Sequence, residues 1–367
     1  MQQNLTKSKL PFAPLLLISP FFFWGTAMVA MKGVIPNTTP FFLAGVRLVP
    51  AGVLVLLVTM LLRKQQPQGW KAWLWIGLFG LVDGAMFQGF LAQGLMRTTA
   101  GLGSVMIDSQ PLAVALMSWW LFQEKIGLWG WLGLAIGITG ISLIGLPDEW
   151  IIDFFHRLGN FDILSGNFSG ENFNILSLLS QVFERGEFLM LLAALSMAVG
   201  TVLVRWVCRY TDPVVATGWH MIIGGLPLFG LSGFLESNQW QNIDSSGWLA
   251  LAYSTVFGSA VSYGLFFYFA SKGSLTSLSA LTFLTPVFAL LFGHLFLEEV
   301  LSSIQSVGVL LTLVSIYLIN QRDFISAKIQ EARYGSLVIN VEDLPMGEGE
   351  PEEVRGKVGL KELESDI

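Results

Sequence analysis

The chain has 367 residues, of which 53% are hydrophobic and 13% are charged, and its formal net charge is −6. Soluble domains carry about 25% charged residues, so this composition indicates a membrane protein. The acidic balance comes partly from the C-terminal segment and gives no indication of nucleic-acid binding. The single cysteine, Cys208, has no partner for an internal disulfide and no Cys or His at metal-ligand spacing. Redox chemistry, a zinc site and a cofactor are therefore not expected.

Ten long apolar runs follow one another along the chain. A bilayer core about 30 Å thick requires around 20 mainly apolar residues per helix. Runs of that size lie at about 11–32, 40–62, 72–94, 99–122, 128–146, 187–208, 213–235, 246–270, 275–297 and 303–320. They lack the alternation of a β-barrel strand. The sequence thus predicts an all-α polytopic membrane protein with ten transmembrane helices, the first of them uncleaved.

Lys and Arg residues beside the predicted spans are distributed unequally, with twelve on one side and four on the other. Positive residues favour the cytoplasmic side, so both termini are predicted to be cytoplasmic. The connection 147–186 is then extracytoplasmic, either as an amphipathic surface helix or as a simple linker. The acidic tail 321–367 is predicted to be cytoplasmic and largely disordered.

Two proline–glutamate pairs indicate an internal repeat. Pro111 with Glu124 and Pro286 with Glu299 are each thirteen residues apart, and the second pair follows the first by 175 residues. Other equivalent residues are Gly25 and Gly200, Pro40 and Pro213, Gly69 and Gly247, and Gly133 and Gly308. Each copy holds five spans, an odd number, so the second copy should be inverted relative to the first. The prolines are then flexible kinks or fixed bends, and the glutamates lie at opposite gates or are interfacial charges.

These features resemble the EamA family of the drug/metabolite transporter superfamily. The residues that carry the resemblance are Trp24-Gly25, Pro40 with Arg47, and the proline–glutamate pairs in a duplicated five-helix unit. It covers two repeats, about 11–146 and 187–320, and leaves the connection and the tail outside. The resemblance implies a central cavity between the repeats and movement of small metabolites, often amino acids outward across a bacterial inner membrane. The chain departs from it where His220 takes the second-half place of Arg47.

Four ionisable residues lie near the middle of predicted spans: Arg47, Asp83, Asp108 and His220. An isolated charge in hydrocarbon costs at least about 2.5–3.5 kcal/mol, so each needs a partner or a wet cavity. Arg47 either holds a substrate carboxylate or forms an ion pair with Asp83 or Asp108. His220 is either a proton relay or a hydrogen-bond partner of a neighbouring helix. Asp83, near Gly80, indicates a close helix contact that carries a buried acid.

Asp108 has the most suggestive setting of the four. It shares one helical face with small and polar residues such as Gly101 and Ser104. Such a face lines a cavity or lets two helices approach closely. We therefore interpret Asp108 either as a group that couples protons or meets a cationic substrate, or as the structural partner of Arg47. Phe283 takes its place in the second repeat, which makes the predicted cavity asymmetric.

Two aromatic residues complete the set of candidates. Trp24 is a candidate wall of the cavity. Tyr263 lies beside a polar stripe formed by Thr255, Ser259 and Ser262, whose hydroxyls either bind substrate or bond neighbouring helices.

The favoured function is a secondary transporter that moves small metabolites by alternating access within a lipid bilayer, with protons as a candidate coupling ion. The chain has neither a Walker motif nor a His-Glu-x-x-His zinc motif, so no enzymatic activity is predicted. The alternative is a non-transporting membrane receptor or assembly subunit. Substrate identity, transport direction and oligomeric state are left open by the sequence.

Overall fold

The structure is a computed structural model that describes residues 13–123, 127–146, 148–149, 151–152, 185–272, 284–318, 321, 324 and 328. Met1–Arg322 form one compact unit, and Asp323–Ile367 form a second. In the second unit the Lys328 ammonium lies 4.9 Å from the centre of the Phe324 ring. Glu124, Phe283 and most of the predicted connection and tail lie outside the described residues, so those predictions stand as they were made.

The first half of the chain forms helices α1 to α5. Helix α1 spans Ala13–Val34, and α2 spans Pro40–Leu61. Helix α3 runs through Trp70–Phe79, a π-helical segment Gly80–Met86, and Phe87–Leu95. Helix α4 comprises Ala100–Ile107 and Gln110–Phe122, and α5 spans Leu128–Gly145.

The second half repeats this order. Helix α6 spans Gly186–Val207 and α7 spans Pro213–Leu235. Helix α8 runs through Ser245–Thr255, a π-helical segment Val256–Val261, and Ser262–Lys272. Helix α9 spans Leu284–Leu297, and α10 spans Ser303–Leu318. The described residues contain no β-strand.

Seven of these helices, α1 to α4 and α6 to α8, are long and apolar enough to cross a membrane. Helices α5, α9 and α10 are shorter apolar helices, and they lie where the remaining spans were predicted. The prediction of an all-helical polytopic membrane protein is therefore confirmed. The count of ten spans remains a prediction.

Helix starts are fixed by local chemistry. Helices α2 and α7 begin with Pro40 and Pro213, since proline suits the first helical position, where its missing N–H is not needed. The Asp212 carboxylate accepts a hydrogen bond from the Val214 N–H at 3.0 Å, and the Asp244 carboxylate accepts one from the Gly247 N–H at 2.7 Å. These caps satisfy N–H groups that have no partner within the helix.

Helix α4 is interrupted in its middle. Its first part ends at Ile107, and its second part begins at Gln110. The following residue, Pro111, has no N–H to continue the helical ladder. The interruption places Asp108 at the C-terminal end of the first part of α4. Its predicted counterpart, Pro286, lies in the first turn of α9.

The two halves pack reciprocally. Helix α1 packs against α8 and α9, and its equivalent α6 packs against α3 and α4. Helices α2 and α7 contact each other and run in opposite directions. Glu236, just after α7, accepts a 2.8 Å hydrogen bond from the Phe41 N–H at the start of α2. At the other end, the Lys64 ammonium lies 2.8 Å from the Asp212 carboxylate, which precedes α7.

Candidate functional site

Side chains from six helices lie near one another in a largely buried region, which we call the central site. Its members are Trp24 on α1, Arg47 on α2, Asp83 and Gln88 on α3, Asp108 on α4, His220 on α7 and Tyr263 on α8. Tyr263 lies within electrostatic range of Arg47, Asp83 and Asp108, and its ring centre is 5.2 Å from that of Trp24. The structure thus brings together all six substrate or proton candidates that the sequence singled out.

Arg47 is a buried cation next to a neutral partner. It is 4% exposed, and its Nη2 donates to Oε1 of Gln88. Its Nε has no hydrogen-bond partner in the part of the chain that the structure describes. Within the same residues Arg47 forms no ion pair, so the alternative of a structural bond to Asp83 or Asp108 is not what the structure shows. A buried guanidinium without an anion is unfavourable, and it therefore favours an anionic ligand.

Asp83 is paired with His220 instead. The Nε2 atom of His220 lies 3.3 Å from Oδ2 of Asp83, and its Nδ1 lies 2.6 Å from the Thr217 carbonyl oxygen. A carbonyl only accepts, so Nδ1 carries a hydrogen and donates it. The Phe79 ring stacks on the imidazole with 4.3 Å between centres. Ring orientation and tautomer are therefore both fixed by neighbours.

Glycines allow the backbones to approach closely around Asp83. A Cβ atom on Gly200 of α6 would lie 2.5 Å from Oδ1 of Asp83, and one on Gly224 of α7 would lie 2.4 Å from the Gly84 Cα. Distances this short exclude any side chain at these two positions without movement of a helix. Helices α3, α6 and α7 are thereby held together at the acid.

Asp108 has a weak partner. Its Oδ2 accepts a hydrogen bond from the Ser104 hydroxyl at 3.2 Å. Among the described residues no cation forms an ion pair with it. A carboxylate placed at the break of α4 with one hydroxyl donor is suited to meeting a cationic group from outside the chain.

Aromatic side chains wall one side of the central site. The Trp24 ring also packs against Phe266, with 5.4 Å between ring centres. The buried indole Nε1 of Trp24 has no hydrogen-bond partner among the described residues. Tyr263 is 9% exposed and lies beside Gln88. This wall combines apolar ring surface with an unpartnered donor, as expected for an amphipathic ligand.

The two π-helical segments lie at similar places in the two halves. The segment in α3 begins eleven residues after Gly69, and that in α8 begins nine residues after the equivalent Gly247. Such widened turns are frequent at functional sites. In α8 the Ser259 hydroxyl donates to the Ser254 carbonyl at 3.1 Å and the Ser262 hydroxyl donates to the Phe257 carbonyl at 2.6 Å.

The predicted polar stripe on α8 is therefore satisfied inside its own helix. The hydroxyl of its third member, Thr255, also donates to a carbonyl of α8, that of Leu251, at 2.8 Å. Side chains whose hydrogens are already used contribute little to binding a ligand, so Tyr263 is the member of this region that faces the central site.

Gln88 is the central residue that the sequence interpretation missed. It follows Asp83 by five residues, a spacing that points to different faces of a regular helix with 3.6 residues per turn. The π-helical segment between them adds a residue to the turn and brings both side chains to the central site. The sequence did contain a signal for this residue, since Gln88 is a polar side chain within a long apolar run.

Glu299, which was predicted as a gate residue, connects two helices at one end of the bundle. Its carboxylate accepts hydrogen bonds from the Ala100 N–H at 2.6 Å and the Gly101 N–H at 3.1 Å. The same end holds a 2.8 Å hydrogen bond from the Lys32 ammonium to the Leu95 carbonyl. Glu299 thus ties the end of α9 to the start of α4, where a carboxylate is favoured by the helix dipole.

A separate groove of about 600 Å³ opens between α1, the start of α8 and the end of α9. Its lining is mainly apolar and includes Phe22, Val29, Phe292 and Phe296. It shares no residue with the central site.

Several apolar helices around a buried polar centre define a polytopic membrane protein. The model of the EamA-like transporter family matches residues 11–146 and 184–321. The chain belongs to this family, within the drug/metabolite transporter superfamily, and the resemblance inferred from the sequence is confirmed. Membership indicates a transporter, which is not an enzyme.

Known relatives agree with this assignment. The chain is 63% identical over 317 residues to an uncharacterized transporter of Synechocystis sp., covering 86% of this chain and 92% of the relative. It is 52% identical over 308 residues to a chloroplastic WAT1-related protein of Arabidopsis thaliana, covering 83% of this chain and 68% of the relative. A solved crystal structure of a protein aligns with a TM-score of 0.55 at 16% identity, covering 83% of this chain and 94% of that one. This last likeness concerns the fold alone.

Proposed function

We propose that this transporter is a secondary carrier for small amphipathic metabolites that bear a carboxylate, amino acids among them, and that the central site binds them. The main support for the proposal is the environment of Arg47. This guanidinium is 4% exposed and bonded to a neutral amide, and it has no ion-pair partner among the described residues. A substrate carboxylate supplies a counter-charge when it binds, and the planar guanidinium suits its geometry.

The other members of the site extend the proposal to the rest of the substrate. The unpartnered N–H groups of Arg47 and Trp24 are donors for the carboxylate oxygens. Asp108 then receives a cationic group such as the ammonium of an amino acid, and the Trp24 and Tyr263 rings contact the apolar part. The favoured substrate class is therefore a zwitterion or a carboxylate with an apolar side chain.

Alternating access between two inverted five-helix repeats, 11–146 and 187–320, is the proposed mode of transport. The reciprocal packing of the halves and the opposite directions of α2 and α7 support it, since inverted repeats commonly rock around a central site. Pro111 and Pro286 are the proposed bends, and Glu124 and Glu299 the proposed opposite gates.

The proposed location is a bacterial inner membrane with both termini in the cytoplasm, supported by the distribution of Lys and Arg. Export is the direction that the family resemblance favours. Membership in a transporter family favours a carrier over the alternative of a receptor or assembly subunit. The connection 147–186 and the tail 321–367 are proposed to lie outside the transport unit.

A binding measurement tests the substrate class. Purified chain in lipid nanodiscs is equilibrated with labelled L-amino acids, one at a time, and with the corresponding amines that lack a carboxylate. We expect at least one amino acid to bind and its amine to bind poorly. Arg47→Gln should weaken amino-acid binding by roughly 30-fold or more, because removing one partner of a buried charge pair costs about 2–5 kcal/mol.

The control is Lys64→Gln, which removes the ion pair at the end of α2, where the Lys64 side chain is 47% exposed. This variant should bind as the original chain does. Equal affinity of Arg47→Gln and the original chain would contradict the proposal, as would the absence of binding by any amino acid.

A further inference from the structure

The contact between Asp83 and His220 is one that can hold a proton. Because Nδ1 of His220 donates to the Thr217 carbonyl at 2.6 Å, it is Nε2 that faces Oδ2 of Asp83 at 3.3 Å. A bare Nε2 and a carboxylate both accept hydrogen bonds, so a hydrogen bond forms between them only when one of them has taken up a proton. With that hydrogen the pair is neutral, whether it is written as histidinium and aspartate or as histidine and aspartic acid.

The pair is shielded from water. His220 is 2% exposed and Asp83 is 7% exposed. The Phe79 ring covers the imidazole, and Gly200 of α6 lies directly against the carboxylate without contributing a titratable group. Loss of the proton would leave a net negative charge in a buried place, and gain of a second would leave a net positive one.

Charged groups on neighbouring helices of the central site influence whether the Asp83–His220 pair binds a proton. Among the residues that the structure describes, the other charged and titratable groups there are Arg47 on α2, Asp108 on α4 and Tyr263 on α8. Without a bound substrate, the positive charge of Arg47 opposes proton binding by the pair, whereas Asp108 in its ionised form favours it. A substrate carboxylate at Arg47 cancels the first effect, and a substrate ammonium at Asp108 cancels the second.

We propose that the Asp83–His220 pair is the proton-binding element of the carrier, and that it takes up a proton when a carboxylate without an amino group binds at Arg47. The inference rests on the proposed substrate site. Linkage requires the reciprocal effect, so the bound proton strengthens binding of the anion. A simple carboxylate then crosses together with a proton as an electrically neutral load, whereas a zwitterionic amino acid crosses without one.

The assignment also redistributes roles between the two central acids. From the sequence, Asp108 was a candidate for proton coupling, for meeting a cationic substrate or for pairing with Arg47, and His220 was a candidate proton relay. Asp108 has a hydroxyl for a partner, whereas Asp83 has an imidazole that accepts or releases the same proton. Outward movement of a carboxylate down its own gradient would therefore carry a proton out with it.

The first test examines the pair itself and requires no transport. The full chain, labelled with ¹⁵N-histidine and placed in lipid nanodiscs, is studied by NMR, with His220 identified through loss of its signals in His220→Gln. We expect Nδ1 to be protonated and the Nε2 signal to change in Asp83→Asn. Acetate as the probe should shift Nε2 toward its protonated form, glycine should shift it less, and Arg47→Gln should abolish the acetate effect.

The second test measures proton movement. Vesicles containing the chain and a trapped pH dye are exposed to L-leucine or to its keto acid, which lacks the amino group. We expect keto-acid entry to carry protons beyond the rate in protein-free vesicles, and leucine entry to carry at least tenfold fewer. Asp83→Asn and His220→Gln should reduce the proton flux at least tenfold, while Lys64→Gln retains it.

An unprotonated Nδ1, or an Nε2 signal unaffected by both Asp83→Asn and acetate, would overturn the inference. So would a proton flux with the keto acid that persists in both variants at the original rate. If the NMR results hold and neither solute crosses, the carrier proposal fails while the proton pair stands.

Discussion

At the residue scale, Arg47 is a buried positive charge that forms no ion pair among the described residues. The guanidinium lies beside Gln88, and the acid that could have paired with it, Asp83, is held by His220. Charges in the protein interior are normally paired. Arg47 forms no ion pair among the described residues, and we therefore propose that a ligand supplies its counter-charge.

Gly84 offers a test of the close helix contact around Asp83. A Cβ atom there would lie 2.8 Å from the Gly224 Cα. We expect Gly84→Ala to lower the free energy of unfolding by about 1–3 kcal/mol, because overpacking forces the backbones apart. Thermal or denaturant unfolding in detergent micelles measures the effect.

The matched control is Gly77→Ala, one segment earlier in the same helix. A Cβ at Gly77 meets nothing within 4 Å. This variant should be neutral or more stable by up to about 1 kcal/mol, since alanine favours helix over glycine. Equal effects of the two substitutions would show that α3 and α7 are not in backbone contact.

At the element scale, helix positions were predictable from the sequence. Helix α2 was predicted at 40–62 and occurs at Pro40–Leu61. Helix α7 was predicted at 213–235 and occurs at Pro213–Leu235. Long apolar runs that follow a proline leave little doubt about where a helix begins, because both signals are local.

The contacts across helices were not predictable in the same way. Which acid pairs with His220 depends on which helices are neighbours, and that information is non-local. The π-helical segments were missed as well, because the assignment of faces assumed the regular helical period. For the same reason Gln88 was not recognised. The hydroxyls of the stripe on α8 were assigned either to substrate or to neighbouring helices, whereas they donate within α8 itself.

Glu236 provides a prediction about how α2 and α7 are joined. Its carboxylate accepts hydrogen bonds from the Thr39 hydroxyl at 2.7 Å and from the Phe41 and Phe42 N–H groups at 2.8 and 3.0 Å. We expect Glu236→Ala to lower the free energy of unfolding by about 1.5 kcal/mol, the lower part of the range for charged hydrogen bonds, since the site is half-buried. Urea unfolding of the protein in micelles measures it.

Glu149→Ala serves as the comparison, because Glu149 is an exposed acid. Its stability should stay within about 0.5 kcal/mol of the original, as is usual for surface substitutions. A Glu236→Ala protein as stable as this control would contradict the role assigned to the cap.

At the scale of the whole molecule, both halves take part in the helix packing, whereas the charges of the central site are distributed unequally between them. Helices pack reciprocally between the halves, which suits a carrier that presents one site to either side of the membrane in turn. The central charges come mainly from the first half, through Arg47, Asp83 and Asp108, while the second half contributes His220 and Tyr263. Motion is thus proposed to be shared by the halves, and substrate chemistry to be concentrated in one of them.

The central claim, that Arg47 holds the carboxylate of a transported solute, is tested most directly by exchange of labelled amino acids in vesicles. The original chain should exchange at least one of the standard L-amino acids in a saturable manner. Arg47→Gln should lower that exchange at subsaturating substrate by roughly 30-fold or more, with Lys64→Gln as active as the original. Exchange no faster than in protein-free vesicles, or equal rates with and without the guanidinium, would contradict the account.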